Sequence, residues 1–166
     1  MKILIFGYGN PDRGDDALGR ECVLRIEARQ LSNIAVEIGT ELDIEHAALL
    51  AKYERAVLVD AAAMGPEPFS FQELRPENPV AMSSHSLSPG GLLWLAHTVF
   101  GSRTRGYTLA IRGYAFKELC CEITDSGKAN LQDACTFLNR MLMCWHECER
   151  GQRASVGTDA HGCGKE

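Results

Sequence analysis

Much of what would assign this 166-residue chain quickly is missing from it. No apolar stretch approaches the ~20 residues of a membrane-spanning helix, so none is expected. Basic residues are not in excess. The net charge is -5, which argues against a nucleic-acid or anionic-membrane partner. There is no Gly-x-Ser-x-Gly elbow to carry a serine nucleophile. There is no helical His-Glu-x-x-His pair of the kind most resident-zinc peptidases use. No internal repeat and no linker divides the sequence, and its length suits a single domain with a sizeable core. The chain opens directly on an apolar strand, Lys2 to Phe6, which leaves no room for a signal peptide, so a cytoplasmic location is expected.

Cysteine, by contrast, is plentiful: seven residues, an odd number. Without a secretory signal these are expected to be reduced rather than bridged. Cys22 and Cys135 occupy helix-face positions where small buried residues are common. Cys120-Cys121 reads as structural, since neighbours on an extended chain point to opposite faces. Cys144 and Cys148 lie one helical turn apart, with His146 between them and His161-Gly162-Cys163 further on. That set can be read as a soft-metal site or as spare thiols.

The apolar pattern alternates between strand and helix. Strands are predicted at 2–7, 33–39, 55–61, 69–74 and 105–112. Helices are predicted at 15–30, from Asp43 as a cap to about Ala51, from Ser88-Pro89 to about Phe100, and from Asp125 as a cap to about Trp145. On the third helix Leu92, Leu95, Ala96 and Val99 are expected to share the buried face. The link at 62–68 is too short for a parallel crossover, so 69–74 is predicted antiparallel and at an edge. The expected fold is a three-layer α/β/α sandwich with a mostly parallel five-stranded sheet containing one antiparallel strand. Residues 1–149 are expected to form this one domain. Residues 150–166 are polar, carry no periodicity, and are expected to be a mobile tail.

One loop stands out. Gly7-Tyr8-Gly9-Asn10-Pro11-Asp12-Arg13-Gly14-Asp15-Asp16-Ala17-Leu18-Gly19 follows the first strand and opens a helix. Most glycine loops in this setting receive phosphate. This one presents Asp15 and Asp16, which repel an anion and attract a cation. The third glycine of a dinucleotide fingerprint would fall at Asp12, so a nucleotide module fits poorly. Sites in such sheets form beyond the carboxyl ends of the strands. Asp16 after the first strand, Asp60 at the end of the third, and His85 just before a helix all fit that edge. Two carboxylates and an imidazole can hold zinc, nickel or iron(II), or work as acid and base without metal. Each also has a plain reading: a helix-dipole partner, a loop anchor, a loop residue.

These motifs resemble the hydrogenase maturation proteases, the endopeptidases that trim the C-terminus of the nickel–iron hydrogenase large subunit. The resemblance rests on Gly7-x-Gly9-Asn10-Pro11-x-x-Gly14-Asp15-Asp16-x-x-Gly19, on Val57-Leu58-Val59-Asp60-Ala61, and on His85-Ser86-Leu87-Ser88-Pro89. It implies that Asp16, Asp60 and His85 are both the catalytic and the metal-engaging residues. The nickel would be carried by the precursor substrate, with no resident organic cofactor. It implies a hydrogenase large-subunit precursor as partner. A carboxylate left free by the metal, Asp16 in this reading, would be the general base. Two departures stand out. Asp16 replaces a common Glu, and Glu37-Ile38-Gly39-Thr40 replaces a segment that usually begins Asp-Gly. The rival readings are a non-enzymatic metal-binding or hydrogenase-assembly scaffold and a peptidase with its own zinc.

Overall fold

The first apolar run forms β1 (Ile3–Gly7), and all five of its residues are buried. It pairs in parallel with β2 (Ile34–Ile38) on one side and β3 (Arg55–Ala62) on the other. The computed structural model describes residues 1–27, 33–79, 87–117 and 120–156. A 3-10 turn at Gly14–Ala17 leads into α1 (Leu18–Glu27). α2 spans Glu45–Leu50, and β4 (Phe69–Glu73) precedes α3 (Pro89–Phe100). β5 (Arg105–Arg112) and α4 (Asp125–Val156) complete the fold. The sheet order is β2-β1-β3-β5-β4, and only β4 runs antiparallel.

Strand pleat divides the core in two, because alternate side chains point to opposite faces. Ile3 and Ile5 of β1 and Val57 and Val59 of β3 meet Leu18, Cys22 and Ile26 of α1 and Leu131, Leu138 and Leu142 of α4. Leu4, Phe6, Ala56 and Leu58 face the other way, onto Ala47 and Leu50 of α2 and Leu92 and Ala96 of α3. Both faces of the central strands are therefore covered, which is why they read as unbroken apolar runs. Cys22 and Cys135 are buried between α1 and α4 with their sulfurs 3.5 Å apart.

The sheet agrees with the sequence reading down to the antiparallel edge strand. Four details differ. The helix expected from residue 15 begins as a 3-10 turn and becomes α-helical only at Leu18. Thr124, not Asp125, caps α4: its Oγ1 accepts the N–H of Gly127 at 3.0 Å. Val99 and Phe100 are exposed, because the last turn of α3 outruns the core that Leu92, Leu93 and Ala96 fill. Finally, α4 continues to Val156, into the stretch expected as a tail. Ser88 caps α3 as its sequence implies, accepting Gly91 N–H at 3.0 Å, with Pro89 in the first turn.

Two glycines bring main chain against main chain beneath the site. A Cβ on Gly19 would lie 2.3 Å from the carbonyl oxygen of Val59 and 2.6 Å from that of Tyr8. Gly9, at φ +131°, leaves no room at all, since a Cβ there would lie 1.9 Å from the carbonyl oxygen of Asp16. Gly19→Ala is expected to push α1 off β3 and destabilise the protein by roughly 1–3 kcal/mol, the range for overpacking a rigid contact. Urea unfolding checks this, and an unchanged midpoint would show that α1 can shift freely.

Candidate functional site

Asp15 and Asp16 are adjacent, yet the 3-10 turn sends them to different environments. Asp15 is fully buried. Its carboxylate accepts the backbone N–H of Tyr114 at 2.7 Å, Ala115 at 3.2 Å and Thr124 at 2.7 Å, and the Thr124 hydroxyl at 2.8 Å. Burial by itself raises its pKa, but these hydrogen bonds outweigh burial and hold it below the usual carboxylate value. Asp15 N–H in turn donates to Ala115 O, and Cys120 N–H to Asp12 O. Asp15 thus ties the connection between β5 and α4 to the glycine loop and takes no part in the cleft. Sequence alone offers both aspartates to a cation and does not separate them.

Asp16 turns outward. Its Oδ2 accepts Asn10 N–H at 2.9 Å, which anchors it within the loop. Asp60 lies in β3 on the face shared with Leu58, two residues before the strand ends. Its Oδ1 accepts Ala61 N–H at 2.7 Å, and the Tyr8 hydroxyl donates to its carboxylate. Burial pushes the Asp60 pKa up to about 6, and the charge of Asp16 adds to the rise, against the opposing pull of Tyr8 and Ala61. Burial, helped by Asp60, drives the Tyr8 phenol well above its ordinary value, so it stays protonated and donates. Tyr8 is the site residue that sequence reasoning misses. The available signal is a hydroxyl-bearing residue directly after β1, at the carboxyl edge where sites form.

Tyr8, Asp16 and Asp60 line one cleft of about 330 Å³. Thr40 and Glu41, after β2, and Leu87 to Pro89, at the start of α3, line it as well. Gly39 N–H donates to Gly7 O at 3.0 Å, which carries the β1–β2 pairing past its last residues and sets Thr40 at the rim. Two of the three residues expected to act together are therefore side by side. His85 lies outside the described residues; in sequence it stands two positions before Leu87. Among the described residues no three His, Cys, Asp or Glu side chains gather into a metal-binding group.

Solved structures share this architecture. The nickel–iron hydrogenase maturation protease HycI from Thermococcus kodakarensis KOD1 matches with a TM-score of 0.67 at 22% identity, over 86% of this chain and 92% of that one. The hydrogenase maturating endopeptidase HybD from E. coli matches with a TM-score of 0.67 at 20% identity, over 86% and 93%. The hydrogenase 2 maturation peptidase of a Thaumarchaeota archaeon gives 0.63 at 20% identity, over 86% and 98%. This chain has the hydrogenase maturation protease fold. No protein-family model matches the sequence, and no curated protein matches it.

Within the maturation protease fold of this chain, the glycine loop does not open toward a phosphate. Gly9 and Gly19 are closed over by backbone, and the group the loop turns into the cleft is a carboxylate. An anionic ligand there would meet Asp16, Asp60 and Glu41. A cation would relieve the repulsion and the burial penalty that raise the Asp60 pKa. No described helix is long and apolar enough to cross a membrane.

Proposed function

We propose that this protein is an endopeptidase that removes the C-terminal peptide from the nickel-loaded large-subunit precursor of a nickel–iron hydrogenase. Asp16, Asp60 and His85 would engage the nickel that the precursor carries. The observation supporting this reading is the convergence of Asp16 and Asp60 on one cleft at the carboxyl edge of the sheet. Carboxylate oxygens and an imidazole are a competent ligand set for nickel. The reading places the protein in the cytoplasm, with no resident organic cofactor and no nucleic-acid or membrane partner.

In this mechanism Tyr8 and Ala61 hold the Asp60 carboxylate in place, and Asn10 holds that of Asp16. The captured precursor is thereby positioned, so that hydrolysis proceeds at a fixed peptide bond rather than by chance encounter. Water is the nucleophile, and a cleft carboxylate takes its proton.

The test is incubation with nickel-loaded and nickel-free precursor, followed by mass measurement of the released peptide. Wild type is expected to release it from the loaded form only. Asp16→Asn, Asp60→Asn and His85→Ala are each expected to slow release at least ~100-fold, the scale of losing a catalytic group. Equal cutting of both precursors would overturn the role of nickel. Binding of the loaded precursor without any cutting would make the protein an assembly scaffold instead.

A further inference from the structure

A cation at the carboxyl edge of the sheet lacks an acceptor. Arg112 is the last residue of β5, and its side chain is half-buried. Its Nε and Nη1 are buried, and neither has a hydrogen-bond partner among the described residues. No described carboxylate forms an ion pair with it. An unmet buried donor is costly, most of all on a charged group. The backbone around it, by contrast, is pinned. Arg112 N–H donates to Pro68 O, just before β4, at 3.1 Å. Its carbonyl accepts Asn130 Nδ2 at 2.9 Å, and the same Nδ2 donates to the Tyr114 hydroxyl at 3.0 Å. The Tyr114 ring centre lies 5.2 Å from the guanidinium carbon, within reach of cation–π attraction. One buried amide, that of Asn130, therefore fixes both the main chain that carries the guanidinium and the ring against which it rests.

The sheet register puts this residue beside the cleft. Asp60 pairs with Ala110, and Ala62 pairs with Arg112. Alternate residues of a strand share a face, so Arg112 stands on the face of Asp60, one strand over and two residues nearer the edge. Strand spacing and rise put the two α-carbons ~8 Å apart. An extended peptide held at Asp60 covers that distance in roughly two to four residues. The signs of charge differ between the two places. Asp16, Asp60 and Glu41 in the cleft repel an anion. The planar fork of an arginine matches a carboxylate through two parallel hydrogen bonds. No side-chain hydrogen bond holds the Arg112 fork, so it can turn to an arriving acceptor at little cost.

We infer that Arg112 is a specificity-determining residue that receives a carboxylate of the precursor, a few residues from the bond that is cut. The identity of the ligand rests on the proteolytic reading; its chemistry rests on the surroundings of Arg112 alone. An acidic cleft and a cationic neighbour ~8 Å away give the bound chain a direction, because reversing it would set like charges against each other. The carboxylate comes either from the free C-terminus of the precursor or from an acidic side chain of the released peptide, and the experiment separates the two.

Two measurements on the full-length protein test this. In the first, the peptide acetyl-Ala-Ala with a free carboxylate, and the same peptide as its amide, are titrated while the Nε–H resonance of Arg112 is followed by NMR. The acid is expected to shift that resonance saturably, and the amide to leave it in place. No shift with the acid, or equal shifts with both, would overturn the proposal. In the second, cleavage of the nickel-loaded precursor is compared for wild type, Arg112→Lys and Arg112→Met. Arg112→Met is expected to raise KM at least ~10-fold with kcat within about twofold, the pattern of lost remote binding, and Arg112→Lys to recover part of the loss. An unchanged KM in Arg112→Met would also sink the idea. A precursor amidated at its C-terminus, or one with the acidic residues of the released peptide changed to Asn and Gln, should raise the wild-type KM as much. Whichever does so names the source of the carboxylate, and an effect of neither counts against the site. The urea midpoint of Arg112→Met should match or exceed that of wild type, since the guanidinium holds no hydrogen bond whose loss could unfold the chain. Wild type that responds to the peptide acid yet never cuts the precursor would remove the proteolytic reading and leave the carboxylate site standing.

Discussion

Asp15→Ala is expected to destabilise the protein by at least ~4 kcal/mol, although the residue touches nothing in the cleft. Removing its carboxylate leaves the backbone N–H groups of Tyr114, Ala115 and Thr124 and the Thr124 hydroxyl without their acceptor. Each buried donor left unmet costs roughly 1–3 kcal/mol. Partial rescue by water keeps the total below a simple sum. A loss of that size is a large share of the ~5–15 kcal/mol by which a domain is stable, so much of the variant should be unfolded at 25 °C. Asp15→Asn should fall between the two, because its amide keeps one oxygen but turns two donors toward donors. The acid behaviour follows from the lowered pKa. The contribution of Asp15 is present above the unfolded value of about 3.9 and fades as pH falls through the lower folded value. Urea unfolding of the three proteins at pH 7 and pH 3 measures this. A cost for Asp15→Ala under ~1 kcal/mol would show that water replaces the carboxylate without penalty.

Asp60→Asn is expected to do the reverse: abolish cleavage while making the protein more stable at neutral pH. The folded pKa of Asp60 is raised from 3.8 to about 6. Between those values the unfolded chain ionises while the folded chain holds its proton, so stability falls as pH rises. The contribution is whole below about 4, is lost through about 6, and is flat above. Two pKa units correspond to about 3 kcal/mol. Asparagine carries no charge and escapes this loss. The stability difference between variant and wild type should therefore grow by ~2–3 kcal/mol from pH 4 to pH 8. Any offset from exchanging a carboxyl for an amide is constant across that range, and the acid effect of Asp15 cancels in the comparison. Denaturant midpoints at several pH values would reveal the trend, and a difference that stays flat with pH would mean that Asp60 ionises normally. A side chain kept at the expense of stability is typical of functional sites.

The contrast between these two aspartates shows where sequence reasoning stops. The βα alternation, the capped start of α3 and the antiparallel edge strand were all legible, because each depends on local pattern or on a short link. The six residues between β3 and β4 cannot carry a crossover, and that fixed the direction of β4. What Asp15 does was not legible, because its partners come from residues about a hundred positions away. Tyr8 was hidden for a related reason: its hydroxyl matters only once β1 and β3 lie side by side. The cap of α4 was misplaced by one residue because Thr124 and Asp125 are both good caps, and only the docking of Asp15 on Thr124 decides between them. Val99 has the right angular position for burial, but the core ends before the helix does.

The cleft has one wall that tolerates change and one that does not. On the side of Asp16 and Asp60, the floor is backbone pressed against backbone at Gly9 and Gly19, where even a methyl group finds no space. The second wall is the rest of the lining, Thr40 and Glu41 after β2 and Leu87 just before α3, where backbone contacts of the Gly9 and Gly19 kind are not what closes the cleft. Adaptation to a different binding partner can therefore proceed by exchanging residues on that second wall alone. The two carboxylates would keep their seats while the rim beside them is rebuilt.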